Sequence, residues 1–204
     1  MTKNAFELLN DHISISHETF GDLLAYHDLL LKWQSKINLI SNDTIKDVWR
    51  RHFLDSLQIL PYIDNKEKII VDLGSGAGFP AIALAIAGFQ NVHLVESDIR
   101  KSAFLREVAR ITETKVTIHN CRIEDVKIEK IDIATSRACA SLDKLLHLIY
   151  DKISCGTICL FHKGKNYSME CEEASKNWQY DISATPSIVD SEGVIVKISN
   201  LHKR

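Results

Sequence analysis

From Phe20 to Trp33 the positions Phe20, Leu23, Leu24, His27, Leu30 and Leu31 share one stripe at helical spacing, which predicts a helix after a shorter amphipathic opening helix. The stretch Asn38 to Asp43 interrupts that stripe. A second periodic run predicts another helix from about Thr44 to Leu60, capped by Asn42 or Asp43 and stopped by Pro61. From Lys68 onward short apolar runs alternate with helical ones. Strands are expected at Ile69 to Leu73, Val92 to Val95, Val116 to His119, Ile131 to Thr135 and Thr157 to His162. Helices are expected between them at Pro80 to Ala87, Ile99 to Ile111 and Leu142 to Ile153. The final third reads as a polar helix, Ser168 to Lys176, and then a hairpin of Tyr180 to Val189 and Gly193 to Ser199 around Asp190-Ser191-Glu192. Strands alternating with helices predict an α/β, doubly wound sheet.

The first strand runs straight into Asp72-Leu73-Gly74-Ser75-Gly76-Ala77-Gly78-Phe79-Pro80, and Glu96 closes the next strand. In a βαβ unit this sets bare backbone and a helix start beside an adenosine-bearing ligand, with the Glu96 carboxylate near the ribose hydroxyls. Gly76-x-Gly78-x-x-Ala81, with Glu96 roughly 20 residues on, also satisfies the dinucleotide fingerprint. Counted from the strand, however, the frame is D-x-G-x-G-x-G, the one S-adenosylmethionine enzymes use. Asp72 would attract that cofactor's ammonium and turn N–H groups would receive its carboxylate, whereas a pyrophosphate would gain nothing from Asp72. An antiparallel last strand agrees, because class I S-adenosylmethionine-dependent methyltransferase sheets end that way. The expectation is a Rossmann-like class I fold in a single domain, with residues 1–66 as an N-terminal helical cap and 67–204 as the catalytic core.

Composition narrows this further. The chain has 204 residues, 45% of them hydrophobic, enough for one α/β domain with a small helical extension. A formal net charge of -2 argues against coating nucleic acid through bulk electrostatics, yet leaves room for a local basic rim drawn from Lys46, Arg50, Arg100, Lys101, Arg106 and Lys165. The five cysteines form no C-x-x-C pair and read as reduced thiols of a cytoplasmic protein. No signal h-region, membrane span or metal-ligand spacing is present, and a monomer without DNA or membrane partners is expected.

Polar groups in apolar places mark candidate chemistry. On the expected Thr44 to Leu60 helix, His52 and Ser56 fall within the face defined by Ile45, Val48, Trp49, Ile59 and Leu60. Buried imidazole and hydroxyl groups need partners, so this face should meet a polar surface, the nearest being the glycine turn. Arg51 and Asp55 flank it and could pair across one turn. After the third strand, an N–H near Ile123 and the carboxylate of Glu124, or of Asp125 instead, would complement an adenine edge. After the fourth, Thr135-Ser136-Arg137-Ala138-Cys139 holds the acceptor side. The Asn- or Asp-Pro-Pro-aromatic motif of exocyclic-amine methylation is missing there, and Cys139 lacks the proline that precedes a pyrimidine-C5 nucleophile. Without G-x-S-x-G, H-E-x-x-H or a Walker turn, hydrolase and phosphotransfer chemistry is set aside.

Lys32-Trp33 with Asn38-Leu39, Arg51-His52-x-x-Asp55-Ser56, Asp72-x-Gly74-x-Gly76-x-Gly78-Phe79-Pro80, Glu96-Ser97, Lys101-x-x-Phe104-Leu105, Ser136-Arg137-Ala138 and Lys163-Gly164 follow one another over nearly the whole chain. This combination resembles the RsmG (GidB) family, bacterial guanine-N7 methyltransferases of small-subunit ribosomal RNA. It departs at Ala81, where many members have glycine, and the C-terminal third matches by pattern more than by residue. The resemblance implies S-adenosylmethionine contacts at Gly74, Phe79, Ile123, Glu124 and Arg137. It also implies methylation of guanine 527 in the 530 loop of 16S ribosomal RNA, as naked RNA or in the 30S subunit. Guanine N7 carries an unprotonated lone pair at neutral pH, so positioning is the main task and no general base is expected. Arg137, then Lys163, are expected to orient cofactor or guanine, whose O6 accepts from arginine or lysine. A-form RNA hides N7 in its deep groove, so the target must be unpaired or flipped out. On residues alone another RNA or small-molecule acceptor, or an NAD(P)-dependent reductase, stays open.

Overall fold

The computed structural model describes residues 2–204. Strands β1 (Ile69–Leu73), β2 (Asn91–Val95), β3 (Thr117–His119), β4 (Ile133–Arg137) and β5 (Ile158–Lys163) are parallel, and β6 (Trp178–Pro186) and β7 (Val194–Lys203) form the expected hairpin. The sheet order is β3-β2-β1-β4-β5-β7-β6, with β7 inserted antiparallel to β5. Strand order reverses between β1 and β4, which opens a crevice at the carboxyl ends of those strands. Central β1 is buried on both faces, as its unbroken Ile-Ile-Val run requires.

Helices α1 (Thr2–Asn10) and α2 (His17–Gln34) begin the cap, and α4 (Ala81–Ile86), α5 (Ile99–Ile111), α6 (Leu142–Ile149) and α7 (Tyr167–Ser175) follow strands of the sheet, with the short α3 (Asp55–Leu57) between. Ser16 caps α2 by accepting from Thr19 N–H, and Asp98 caps α5 by accepting from Arg100 and Lys101. One apolar cluster joins Leu9, Tyr26 and Phe53 of the cap to Phe79, Phe104 and one sheet face, and a second packs Leu145, Phe161 and Trp178 on the other face. Each such fully buried large side chain contributes about 1.5–3 kcal/mol. Cap and sheet therefore share a core. Among the described residues no helix is long and apolar enough to cross a membrane.

The expected single helix from Thr44 to Leu60 is instead broken. A 3-10 turn at Asn42–Asp47, a π-helical turn at Trp49–Leu54 and α3 follow one another, and a further 3-10 turn spans Leu60–Tyr62. Neither Asn42 nor Asp43 is the cap; Ser41 takes that place without a side-chain bond. The break coincides with a contact from the sheet. Asp55 N–H bonds to the carbonyls of Arg50 and His52 and skips that of Arg51, which receives the Arg137 guanidinium instead. Smaller shifts occur elsewhere: β4 spans Ile133–Arg137 instead of starting at Ile131, and α6 tightens to a 3-10 turn after Ile149.

Candidate active-site cleft

A cleft of about 660 Å³ lies over the ends of β1, β4 and β5, walled by the cap, the glycine turn and the β6–β7 loop. A hollow of about 160 Å³ adjoins it, lined by Ile123 and Glu124 and sharing Gly74, Glu96, Ser97 and Cys139 with it.

The three turn glycines have different reasons to be glycine. All have positive φ (71, 56 and 94° at Gly74, Gly76 and Gly78). A Cβ on Gly76 would meet nothing nearer than 3.9 Å, so bare backbone faces open space there. On Gly74 it would collide with Cys139 Sγ, and on Gly78 it would press on Ile82, Leu105 and the Tyr26 hydroxyl at 2.9–3.0 Å. Gly78 thus serves packing. Tyr26 sits below the turn, donates to Ala77 O and stacks its ring on Phe79 at 5.0 Å. Most turn N–H groups are already bonded: Gly74 and Ser75 to Val95 O, Gly76 to Glu96 and Gly78 to Ser75 O. Among the described residues those of Ala77 and Phe79 have no partner, so these two, rather than the whole turn, can receive an anion.

Glu96 lines the cleft with both oxygens held, Oε2 by Gly76 N–H at 2.8 Å and Oε1 by Asp98 N–H at 2.7 Å. Each oxygen keeps a second lone pair for a hydroxyl donor. Asp72 lies one layer below, off the cleft wall. Its Oδ1 accepts from Thr135 at 2.8 Å, its Oδ2 has no partner, and burial pushes the carboxyl up to about 7.

Arg137 joins cap to sheet. Its Nη1 donates to Arg51 O at 3.0 Å and to Asp55 Oδ2 at 3.2 Å, its Nη2 to His52 Nδ1 at 2.6 Å, and the guanidinium lies 5.0 Å over the Phe79 ring. His52 is buried, and burial beside Arg137 lowers its pKa to about 3. Its Nε2 meets Thr44 Oγ1 at 2.7 Å.

Other expectations need correction. Arg51 and Asp55 do not pair with each other: Arg51 reaches Asp190 at 3.0 Å, while Asp55 takes Arg137 and Gln58, because the π-helical turn rotates the two side chains apart. Ser56 does not face the turn. Its hydroxyl donates to His52 O at 2.6 Å, satisfying itself within the segment. Lys163 lines the cleft, but its ammonium is held by Glu170 Oε2 at 2.8 Å and Ala140 O at 2.7 Å, so it braces the loop after β4. Cys139 also lines the cleft, and burial raises its thiol pKa, which disfavours a thiolate.

Sequence reasoning missed Tyr26, Thr44, His162, Glu170 and Asp190. Tyr26 left a signal, since a tyrosine on a buried stripe needs a partner for its hydroxyl. His162 donates from Nε2 to Asp55 O at 2.8 Å, a long-range contact that spacing does not encode.

The family model for rRNA small subunit methyltransferase G (GidB) matches residues 20–196. Ribosomal RNA small subunit methyltransferase G of Paramagnetospirillum magneticum is 47% identical over 93% of this chain and 92% of its own length. That of Rhodospirillum rubrum is 41% identical over the full length of both. Among solved structures, ribosomal protein L11 methylase from Lactobacillus delbrueckii subsp. bulgaricus overlays 74% of this chain and 79% of its own with TM-score 0.62 and 16% identity. M. jannaschii TYW2 in complex with AdoMet covers 83% of this chain and 80% of its own, with TM-score 0.57 and 14% identity. The structural likenesses establish the class I methyltransferase fold, and the sequence matches go further: this chain belongs to the rRNA small subunit methyltransferase G (GidB) family.

Proposed function

We propose that this enzyme, a cytoplasmic monomer, transfers the methyl group of S-adenosylmethionine to N7 of guanine 527 in the 530 loop of 16S ribosomal RNA. The observation that carries the reading is that every carboxylate and imidazole lining the cleft is already engaged. His52 Nδ1 accepts from Arg137, Asp55 from Arg137 and Gln58, Glu96 from two backbone N–H groups, and Asp190 from Arg51 and Glu192 N–H. His162 gives its Nε2 proton to Asp55 O, and its Nδ1 is sealed from solvent. With His52 Nδ1 spent on Arg137 and His162 Nδ1 sealed, an acceptor that must lose a proton finds no imidazole base here. Guanine N7 needs none, because it attacks with its own lone pair.

The residues fit S-adenosylmethionine. Gly76 leaves the approach open, Ala77 and Phe79 N–H groups are free for its carboxylate, and the orphaned Asp72 Oδ2 would favour its ammonium. Glu96 would hold the ribose hydroxyls with its second lone pairs, and Ile123 and Glu124 the adenine in the smaller hollow. Bound there, the cofactor supplies an electrophilic methyl group. Arg137 keeps Nε–H and one Nη2–H without partners among the described residues, two donors for guanine O6 or the cofactor. The neutral His52 and the anionic Asp55 and Glu96 keep this cationic reaction from meeting surplus positive charge.

Incubating the purified protein with S-adenosylmethionine and 30S subunits, followed by borohydride reduction and aniline, should give one new scission in the 530 loop, since 7-methylguanine is cleaved by this treatment. Scission should persist in Cys139→Ser. A methylated RNA that resists aniline means another acceptor atom, and loss of activity in folded Cys139→Ser means covalent catalysis.

A further inference from the structure

We infer that His52 is the positioning residue for Arg137, acting through the single lone pair of its Nδ1. The inference rests on the N7 methyl-transfer reading only for its kinetic consequence; the arrangement itself is geometric. An arginine side chain donates and never accepts, so the 2.6 Å contact between Nη2 and Nδ1 requires a bare Nδ1. The ring proton then sits on Nε2 and donates to Thr44 Oγ1 at 2.7 Å. The threonine hydroxyl in turn donates a hydrogen bond to Ser41 O at 2.7 Å. A donor-only group at one end and an acceptor-only carbonyl at the other fix every proton in the chain between them.

This chain gives Arg137 a second point of attachment. Arg51 O and Asp55 Oδ2 both hold Nη1, and a planar guanidinium fixed at one nitrogen can still swing in its own plane. Holding Nη2 at His52 removes that swing and sets the direction in which Nε–H and the remaining Nη2–H face the cleft. The imidazole is itself fixed, buried with its ring 5.2 Å from Phe79. Protonating it would abolish the acceptor and place a second cation beside Arg137. The π-helical turn fits the same purpose, since it frees Arg51 O and brings His52 and Asp55 to bear on one guanidinium.

Two readouts test the inference. With ¹⁵N-labelled histidine in the wild-type protein, the resonance lost in His52→Asn should show the proton on Nε2 and a bare Nδ1. In kinetics on 30S subunits, His52→Phe keeps the ring and removes the acceptor. It should lower kcat about 10–100-fold, the loss for one hydrogen bond to a charged group, with both KM values within about threefold. His52→Asn puts Oδ1 where Nδ1 was and should recover kcat to within about threefold of wild type. The Nδ1–H tautomer in the wild type, an unchanged kcat in His52→Phe, or an Asn variant no better than Phe overturns the inference. If His52→Phe does not fold, the tautomer decides. Wild-type protein that gives no aniline scission breaks the N7 reading instead, and the tautomer still reports on His52.

Discussion

Asp55 of the cap accepts from Arg137 of the sheet at 3.2 Å, and both side chains are only 16% exposed, so one ion pair fastens the two halves of the protein beside the cleft. Arg137 is therefore structural as well as functional. Removing it leaves Asp55 Oδ2 and His52 Nδ1 without their donor, a change costing about 2–4 kcal/mol for a partly buried pair. Arg137→Ala should lose turnover and stability together in rate assays and urea melts, while Arg137→Lys, with charge and no fork, should keep more stability than turnover. Trp49→Ala provides the contrast. Trp49 stacks on Phe53 at 4.5 Å and on His27 at 4.9 Å, so its loss should lower stability by about 2–4 kcal/mol with kcat per folded molecule unchanged. Equal stability of Arg137→Ala and wild type would rule out the fastening role.

The turn glycines separate fold from ligand. Gly76→Ala meets no neighbour within 3.9 Å and should cost about 1–2 kcal/mol for its positive φ, while weakening S-adenosylmethionine binding in a folded protein. Gly78→Val should fail to fold, because its side chain would enter the space of Tyr26 and Leu105. Gly74→Ala should be destabilised by Cys139 and partly relieved by Cys139→Ala. Calorimetric titration with thermal melts checks all three. A folded Gly78→Val that has merely lost affinity would return that glycine to the ligand surface.

Gln58 offers a test of the cleft's far wall. Its amide donates to Asp55 and to Ser187 Oγ, and its Oε1 accepts from Ile188 N–H at 3.0 Å, so one side chain holds the β6–β7 loop against the cap. Gln58→Leu leaves Ile188 N–H and Asp55 Oδ1 without this partner and should destabilise by about 1–3 kcal/mol. Limited proteolysis should then cut first between Ser187 and Gly193. An unchanged cleavage pattern would mean the loop holds itself.

Periodicity made the centre of the sheet legible because β1, β4 and β5 sit where an apolar run must be buried, and β1 matches its expected bounds, Ile69–Leu73. Of the frame Asp72, Gly74 and Glu96, the last two line the cleft, while Asp72 lies below it. What the sequence hid is the long-range hydrogen bonding. The apolar face around His52 was visible, yet nothing in its spacing says that Arg137, 85 residues on, would draw the Arg51 carbonyl and unwind the helix into a π-helical turn. Arg51 and Asp55 look like neighbours on an ideal helix, and it is this unwinding that sends them to Asp190 and Arg137. Lys163 lines the cleft, but its ammonium is taken by Glu170 from α7, a partner no local pattern names.

Asp72 gives the protein a pH dependence with a definite sign. Its folded pKa, raised by burial to about 7, lies above the usual unfolded value near ~3.9, so between the two the folded state binds the extra proton. Its contribution to stability is full below about pH 3.9 and is lost as pH rises towards 7. Asp72→Asn lacks that titration and should gain roughly 1–3 kcal/mol on the wild type between about pH 5 and 8, read by urea melts. The same substitution removes the charge that would favour the cofactor's ammonium, so S-adenosylmethionine affinity should fall. In the wild type, binding near pH 6.5 should release protons, seen as a dependence of the calorimetric heat on buffer ionisation enthalpy, because an ammonium in the cleft above Asp72 favours the carboxylate. A stability difference that does not change with pH, together with unaltered cofactor affinity in Asp72→Asn, would show that Asp72 only supports the turn through Thr135.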